Sequence, residues 1–149
     1  MDYIFALRSF LIAYNTIPFN QNTPGESMHA RTFLEALCFE LSIKAYYQMD
    51  NRVKPSNTHN LLELFEKLNE ETKGFIQKKF DDIIISQKEN IEKITGEKMF
   101  EISLKGVLEH NSHLIVNFRY EGKLNNGAVI GSNEFINALH SDIEQRIEK

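Results

Sequence analysis

Apolar residues recur every three or four positions along most of this chain, and that period, not the alternation of a strand, organises its reading. Ile4, Leu7, Leu11 and Tyr14 predict a short amphipathic helix over Asp2 to Asn15. Asn15 to Gly25 gathers turn formers and two prolines, which predicts an exposed loop of about ten residues. Ser27 is placed to cap a second helix, whose Ala30, Phe33, Leu34, Leu37, Leu41 and Ala45 form one apolar stripe as far as Met49. After a polar connector from Asp50 to Asn57, Thr58 is the expected cap of a third helix on Leu61, Leu64, Phe65 and Leu68. A fourth starts near Glu71, uses Phe75, Ile76, Phe80, Ile83 and Ile84, and runs on in a highly charged form to Thr95-Gly96. The fifth carries Phe100, Leu104, Val107, Leu108, Asn111, Ile115 and Phe118. Its Leu114 to Tyr120 stretch suits a strand on propensity alone, but the helical spacing upstream decides for a helix. Gly122 to Gly131 contains an Asn-Asn-Gly turn, and Ser132 or Asn133 caps a last helix with Phe135, Ile136, Leu139, Ile143 and Ile147.

The sum is an all-α chain, an antiparallel helical bundle of five to six helices with short connections. No internal repeat or long linker divides it, so residues 1–149 read as one domain, with 1–26 an N-terminal helix and loop and 27–149 the bundle core. Its length is enough to bury a real core without covalent staples.

Composition narrows the function classes. The formal charge is −4, and the acidic excess lies mid-chain, where residues 61–101 hold seven basic and ten acidic groups. With a pI near 5.7, a duplex-DNA binder working by counterion release is not expected. Cys38 is the one cysteine, which suits a reducing cytoplasm and gives no cysteine metal cluster. The opening residues have no basic stretch with a cleavage site, so no signal peptide is expected. No run reaches the roughly eighteen apolar residues of a membrane span.

Two segments carry a family likeness. Ala30-Arg-Thr-Phe-Leu-Glu-Ala-Leu-Cys-Phe-Glu-Leu-Ser-Ile-Lys-Ala45 is followed, after a polar gap, by Thr58-His59-Asn60-Leu61 and Leu64. His110-Asn-Ser-His-Leu-Ile-Val-Asn-Phe-Arg-Tyr-Glu121 is followed, after a glycine-bearing loop, by Phe135 and Leu139. Over residues 27–147 this arrangement resembles the HEPN superfamily, all-helical domains of bacterial toxin–antitoxin and phage-defence systems and neighbours of nucleotidyltransferases. The resemblance implies a HEPN-like bundle, a homodimer, and a tie to RNA or nucleotide binding in defence or stress systems.

Many HEPN domains are metal-independent ribonucleases marked by an Arg, four to six residues, and a His; the Arg stabilises charge on the phosphate while the His moves a proton. Here the matching helix has Arg119, with His110 and His113 ahead of it in reverse order. The sole literal match, Arg52 and His59 with six residues between, spans Pro55 in a connector ahead of a different helix. The chain departs from the signature, and the resulting expectation is a module that binds without cleaving. The alternatives are a divergent ribonuclease toxin using Arg119, His113 and Asn111 across a dimer, and a structural subunit assembling with the product of a neighbouring gene.

Individual residues admit two readings each. Glu40 and Lys44, four apart in an apolar helix, with Arg119, predict an interior ion pair and a Glu40–Arg119 bridge. The functional version is a charged pocket in which Arg119 receives a nucleotide phosphate. His110 and His113, with Asn111, either line a polar groove or subunit contact or are plain surface histidines; the carboxylate partners of a di-metal bundle are missing, so no metal or cofactor is expected. His59 is expected to bond backbone or pack at a helix entrance, and Cys38 to lie in the core.

Overall fold

The described residues of the computed structural model, 2–18, 21–99, 101–121 and 133–149 with the side chains of 114–121 excepted, form helices joined by short connections, with no strand among them. Helix α1 (Tyr3–Thr16) is started by Asp2, whose Oδ1 accepts the backbone N–H of Ile4 at 3.1 Å and of Phe5 at 3.2 Å. It buries Tyr3, Leu7, Leu11 and Tyr14 as one stripe.

Helix α2 (Pro24–Asn51) begins three residues before the expected cap. Pro24 has no N–H to satisfy and a preset φ, so it takes the first helical position, Thr23 becomes the N-cap, and Ser27 lies a turn inside. The helix ends at Arg52, in the left-handed region at φ 56°. Every residue from Cys38 to Tyr46 is buried, which no single stripe predicts. Nine consecutive residues at 100° each sweep the whole circumference, because α1 and three later helices wrap this segment. Charged groups on such a helix have no water-facing side and must find partners inside. Glu35 accepts from the Tyr14 hydroxyl at 3.3 Å, and Arg31 stacks 5.0 Å from the Tyr14 ring centre. Burial, then the Glu35 charge, pushes the Tyr14 phenol up to about 12.

Short α3 (Leu61–Glu66) is capped by Asn60, whose Oδ1 accepts from Glu63 N at 3.1 Å, two residues later than expected. Helix α4 (Glu70–Phe80) is capped by Asn69, buries Thr72, Ile76 and Phe80, and passes through a π-helical turn at Asp81–Ile85 into α5 (Ser86–Thr95). Helix α5 buries no residue, continues directly out of the π turn, and stops at Gly96 in the left-handed conformation at φ 70°. Ser103 caps α6 (Leu104–Glu121), which is helical throughout Leu114 to Tyr120 and removes the strand alternative. Phe100 and Ser132 lie outside the described residues. Helix α7 (Asn133–Ile147) buries Phe135, Ile136, Leu139 and Ile143.

The contacts give the directions. Tyr14 meets Arg31 and Glu35 while Tyr3 lies under Lys44, so α1 and α2 are antiparallel. Phe39 packs on Phe135 at 6.0 Å and the Tyr46 hydroxyl bonds Leu139 O and Asp142, so α2 and α7 run the same way. Phe80 meets Phe135 edge-on at 6.0 Å, and Arg146 donates to Thr72 Oγ1 at 2.7 Å, which sets α4 against α7. The result is an all-α bundle around α2. Among the described residues no helix is long and apolar enough to cross a membrane.

Candidate functional site

The charged residues of the wrapped segment lead directly to a pocket. Lys44 donates to Glu40 Oε1 at 2.6 Å, with the two side chains 6% and 4% exposed, so this ion pair is shut away from solvent. The cation also lies 5.8 Å from the centre of the Tyr3 ring. The spacing of four predicted this pair.

Glu40 has a second partner. His59 Nδ1 lies 3.0 Å from Oε1 and 3.1 Å from Oε2. An ionised carboxylate only accepts, so Nδ1 donates and the ring is held with Nε2 away from Glu40. The sequence predicts a backbone bond or packing at the helix entrance; His59 stands at that entrance and bonds a side-chain carboxylate. The connector puts it there: Thr58 N donates to Ser56 O at 2.7 Å, Asn60 N donates to Thr58 Oγ1 at 3.0 Å, and Pro55 is buried. The His59 side chain remains 37% exposed, so one end is buried on the ion pair and the other reaches solvent.

His59, Asn60, Leu62, Glu109, Ser112 and His113 line a pocket of about 330 Å³, at the small end of ligand sites. Its two walls are tied together, since Ser112 Oγ accepts Leu61 N at 2.8 Å and donates to Leu108 O at 2.7 Å. Glu109, on the same face as His113, lies 3.9 Å from Lys105. The pocket therefore holds two imidazoles from different elements, one oriented by a buried carboxylate, together with the Asn60 amide.

The residues expected to form a site are separated. His113 lines the pocket, whereas His110 is half-buried outside it. Asn111 is 1% exposed and donates to Val107 O at 2.8 Å. Its Nδ2 is held by the i−4 carbonyl of its own helix, and it is not among the residues lining the pocket. The side chain of Arg119, and with it the Glu40–Arg119 bridge, lies outside the described residues. Lys44 and His59 are the partners Glu40 has among the described residues. No three metal-ligating side chains converge among those residues.

Cys38 is buried without a disulfide, and burial, with Glu35 second, pushes its thiol up to about 12, which removes it as a nucleophile at neutral pH. No family model, curated protein or solved structure matches this chain.

Proposed function

We propose that the chain is a HEPN-like, RNA- or nucleotide-binding module of bacterial defence, toxin–antitoxin or stress systems, acting in the cytoplasm as a homodimer or beside a partner protein, and that its ligand's phosphate is received between His59 and His113. The supporting observation is the seating of His59 on Glu40 in a small pocket that His113 also lines. A protonated imidazole offers an N–H at each ring nitrogen, one of which can reach a phosphate oxygen. The volume, about 330 Å³, lies at the small end of ligand sites.

The same observation supports a second reading. Two imidazoles in one pocket are the parts of a metal-independent RNA cleavage: one takes the proton of the ribose 2′-hydroxyl as its oxygen attacks phosphorus, and the other gives a proton to the departing 5′-oxygen. His59, the histidine of the literal Arg52-to-His59 spacing, is one of the two, and His113 takes the second role in place of the Asn111 and Arg119 set. The test is fluorescence anisotropy with a labelled single-stranded RNA in EDTA, followed by sizing of the recovered RNA. Binding that His59→Ala and His113→Ala each weaken, with intact RNA, supports the binding module. Cleavage lost in both variants supports the ribonuclease. No binding, or binding indifferent to both substitutions, refutes both.

A further inference from the structure

The histidine pocket carries more than imidazoles. Glu109 borders it from α6, and the nearest cation, Lys105, is 3.9 Å from the carboxylate, too far for a hydrogen bond, so both oxygens are open to a ligand. Asn60 borders it from the entrance of α3, and its amide has a fixed sense. Oδ1 is taken as the cap acceptor of Glu63 N at 3.1 Å, which leaves Nδ2 to donate. Half-buried Leu62 adds an apolar wall. Besides its two histidines the pocket therefore offers two acceptors on one carboxylate, one donor on an amide, and a surface on which a flat ring can rest.

We propose that this pocket selects guanine, so that its ligand is a guanosine phosphate, free or within single-stranded RNA. The inference rests on the nucleotide reading above and names the base that reading leaves open. The Watson–Crick edge of guanine presents two adjacent donors, N1–H and the N2 amino group, beside one acceptor, O6. A carboxylate only accepts, so the two oxygens of Glu109 meet both donors while Asn60 Nδ2 meets O6. The other bases leave a mismatch. Adenine and cytosine put a bare ring nitrogen where the carboxylate needs a donor, which opposes two lone pairs in a partly desolvated site. Uracil has a single ring N–H flanked by carbonyls, so one carboxylate oxygen would face another acceptor.

The spacing along α6 is compatible with one bound unit. Glu109 and His113 are four residues apart on the same helix face, about 6 Å along the axis at about 1.5 Å per residue. The base end of a guanosine phosphate then meets Glu109 one turn away from the imidazole that takes its phosphate, which keeps the two negative charges apart. Bonds to a carboxylate are charge-assisted and stronger than neutral ones. The Glu109 side chain is 55% exposed, however, so water screens the pairing and places its discrimination at about 10-fold, the lower part of the range for bidentate base contacts. A metal ion would also suit a carboxylate beside imidazoles, but no three metal-ligating side chains converge among the described residues.

Isothermal titration of the full chain with GMP, IMP, AMP, CMP and UMP in EDTA is the test, beside anisotropy of a labelled oligomer of A, C and U with and without one guanine. GMP should bind about 10-fold more tightly than AMP, CMP or UMP, and IMP, which lacks the N2 amino group, should fall between. Glu109→Gln exchanges one acceptor for a donor and should remove most of that preference with unchanged helicity, since the position is exposed. Asn60→Asp keeps the cap but turns an acceptor to O6, and should narrow the gap between GMP and AMP. Free nucleotide and oligomer share this chemistry, and the tighter of the two identifies the source. Equal binding of all the bases, or a guanine preference that Glu109→Gln preserves, would overturn the proposal; if His59→Ala and His113→Ala still weaken binding, the nucleotide reading survives it. No binding of any of these ligands would overturn that reading and this one together.

Discussion

Replacing Glu40 by Ala would isolate a cation in the core. Lys44 is 6% exposed, its ammonium 2.6 Å from the carboxylate that would vanish, and the wrapped segment of α2 gives it no route to water short of opening the bundle. Breaking a buried ion pair in this one-sided way costs about 3–5 kcal/mol, a large part of the roughly 5–15 kcal/mol that keeps a domain folded. At about 2–4 °C per kcal/mol for a chain of this size, the midpoint of thermal unfolding should fall by about 6–20 °C. The double variant Glu40→Met and Lys44→Met removes both charges, fills similar volume, and should be neutral or up to about 4 kcal/mol more stable than the wild type. His59 loses its partner in that variant, but its side chain is 37% exposed and can turn the freed nitrogen towards water. The control is Glu63→Ala, which breaks a pair of identical spacing and distance whose members are 50% and 52% exposed, and which should leave the curve nearly unmoved. Urea and thermal unfolding followed by circular dichroism measure all three. A Glu40→Ala midpoint within 2 °C of wild type, or a double variant as damaged as the single, would refute the reasoning.

Other consequences are measurable with the same protein. Tyr46→Phe removes a hydroxyl that donates to Asp142 at 2.9 Å and to Leu139 O at 3.1 Å, and should cost about 1–3 kcal/mol by urea unfolding. Phe135→Ala, which empties the contact with Phe39 and Phe80, should cost more, about 3–5 kcal/mol by the same method. Cys38 should ignore a thiol-specific chromogenic disulfide at pH 8 and react fully in urea, given a thiol pushed up to about 12 by burial; stoichiometric labelling of the folded chain would contradict this. The hydrogen bond from Arg8 holds the Glu144 carboxyl below its ordinary value, so the α1–α7 clasp contributes above the unfolded pKa of Glu144 and is lost as pH falls through the lowered one. The gap in urea midpoint between wild type and Arg8→Gln should therefore be present at neutral pH and close at strongly acid pH. A gap that widened on acidification would reverse the assigned sign.

The peripheral helices were legible because each presents one face to the core. Leu7, Leu11 and Tyr14 on α1, and Phe135, Ile136, Leu139 and Ile143 on α7, keep a helical period and are buried as that period requires. The α2 helix was legible as a helix but not as the centre. Its neighbours cover every side, so the stripe drawn through Ala30 and Phe33 marks residues less covered than Ser42 or Lys44. Start signals competed over short distances: Pro24 overrode Ser27, and Asn60 overrode Thr58, because backbone geometry and not residue type alone selects among adjacent caps.

The site was half legible. The spacing of Glu40 and Lys44 announced the ion pair, and His113 was singled out. His59 was undervalued because a histidine before a short helix has many ordinary uses. The signal that identifies it is tertiary, a carboxylate nineteen residues upstream with no exposed side of its own.

The wrapping of α2 also governs how this chain acquires its shape. Tyr46 and Asp142, which meet across the core, are 96 residues apart along the chain. Helices α1 and α2 can pair locally and early, but covering the middle of α2 also takes α7, from the far end of the chain, and closing that long loop is entropically costly. Docking of α7 therefore carries a large loop-closure cost, and a chain lacking α7 would lose the cover it gives Phe39 and Tyr46.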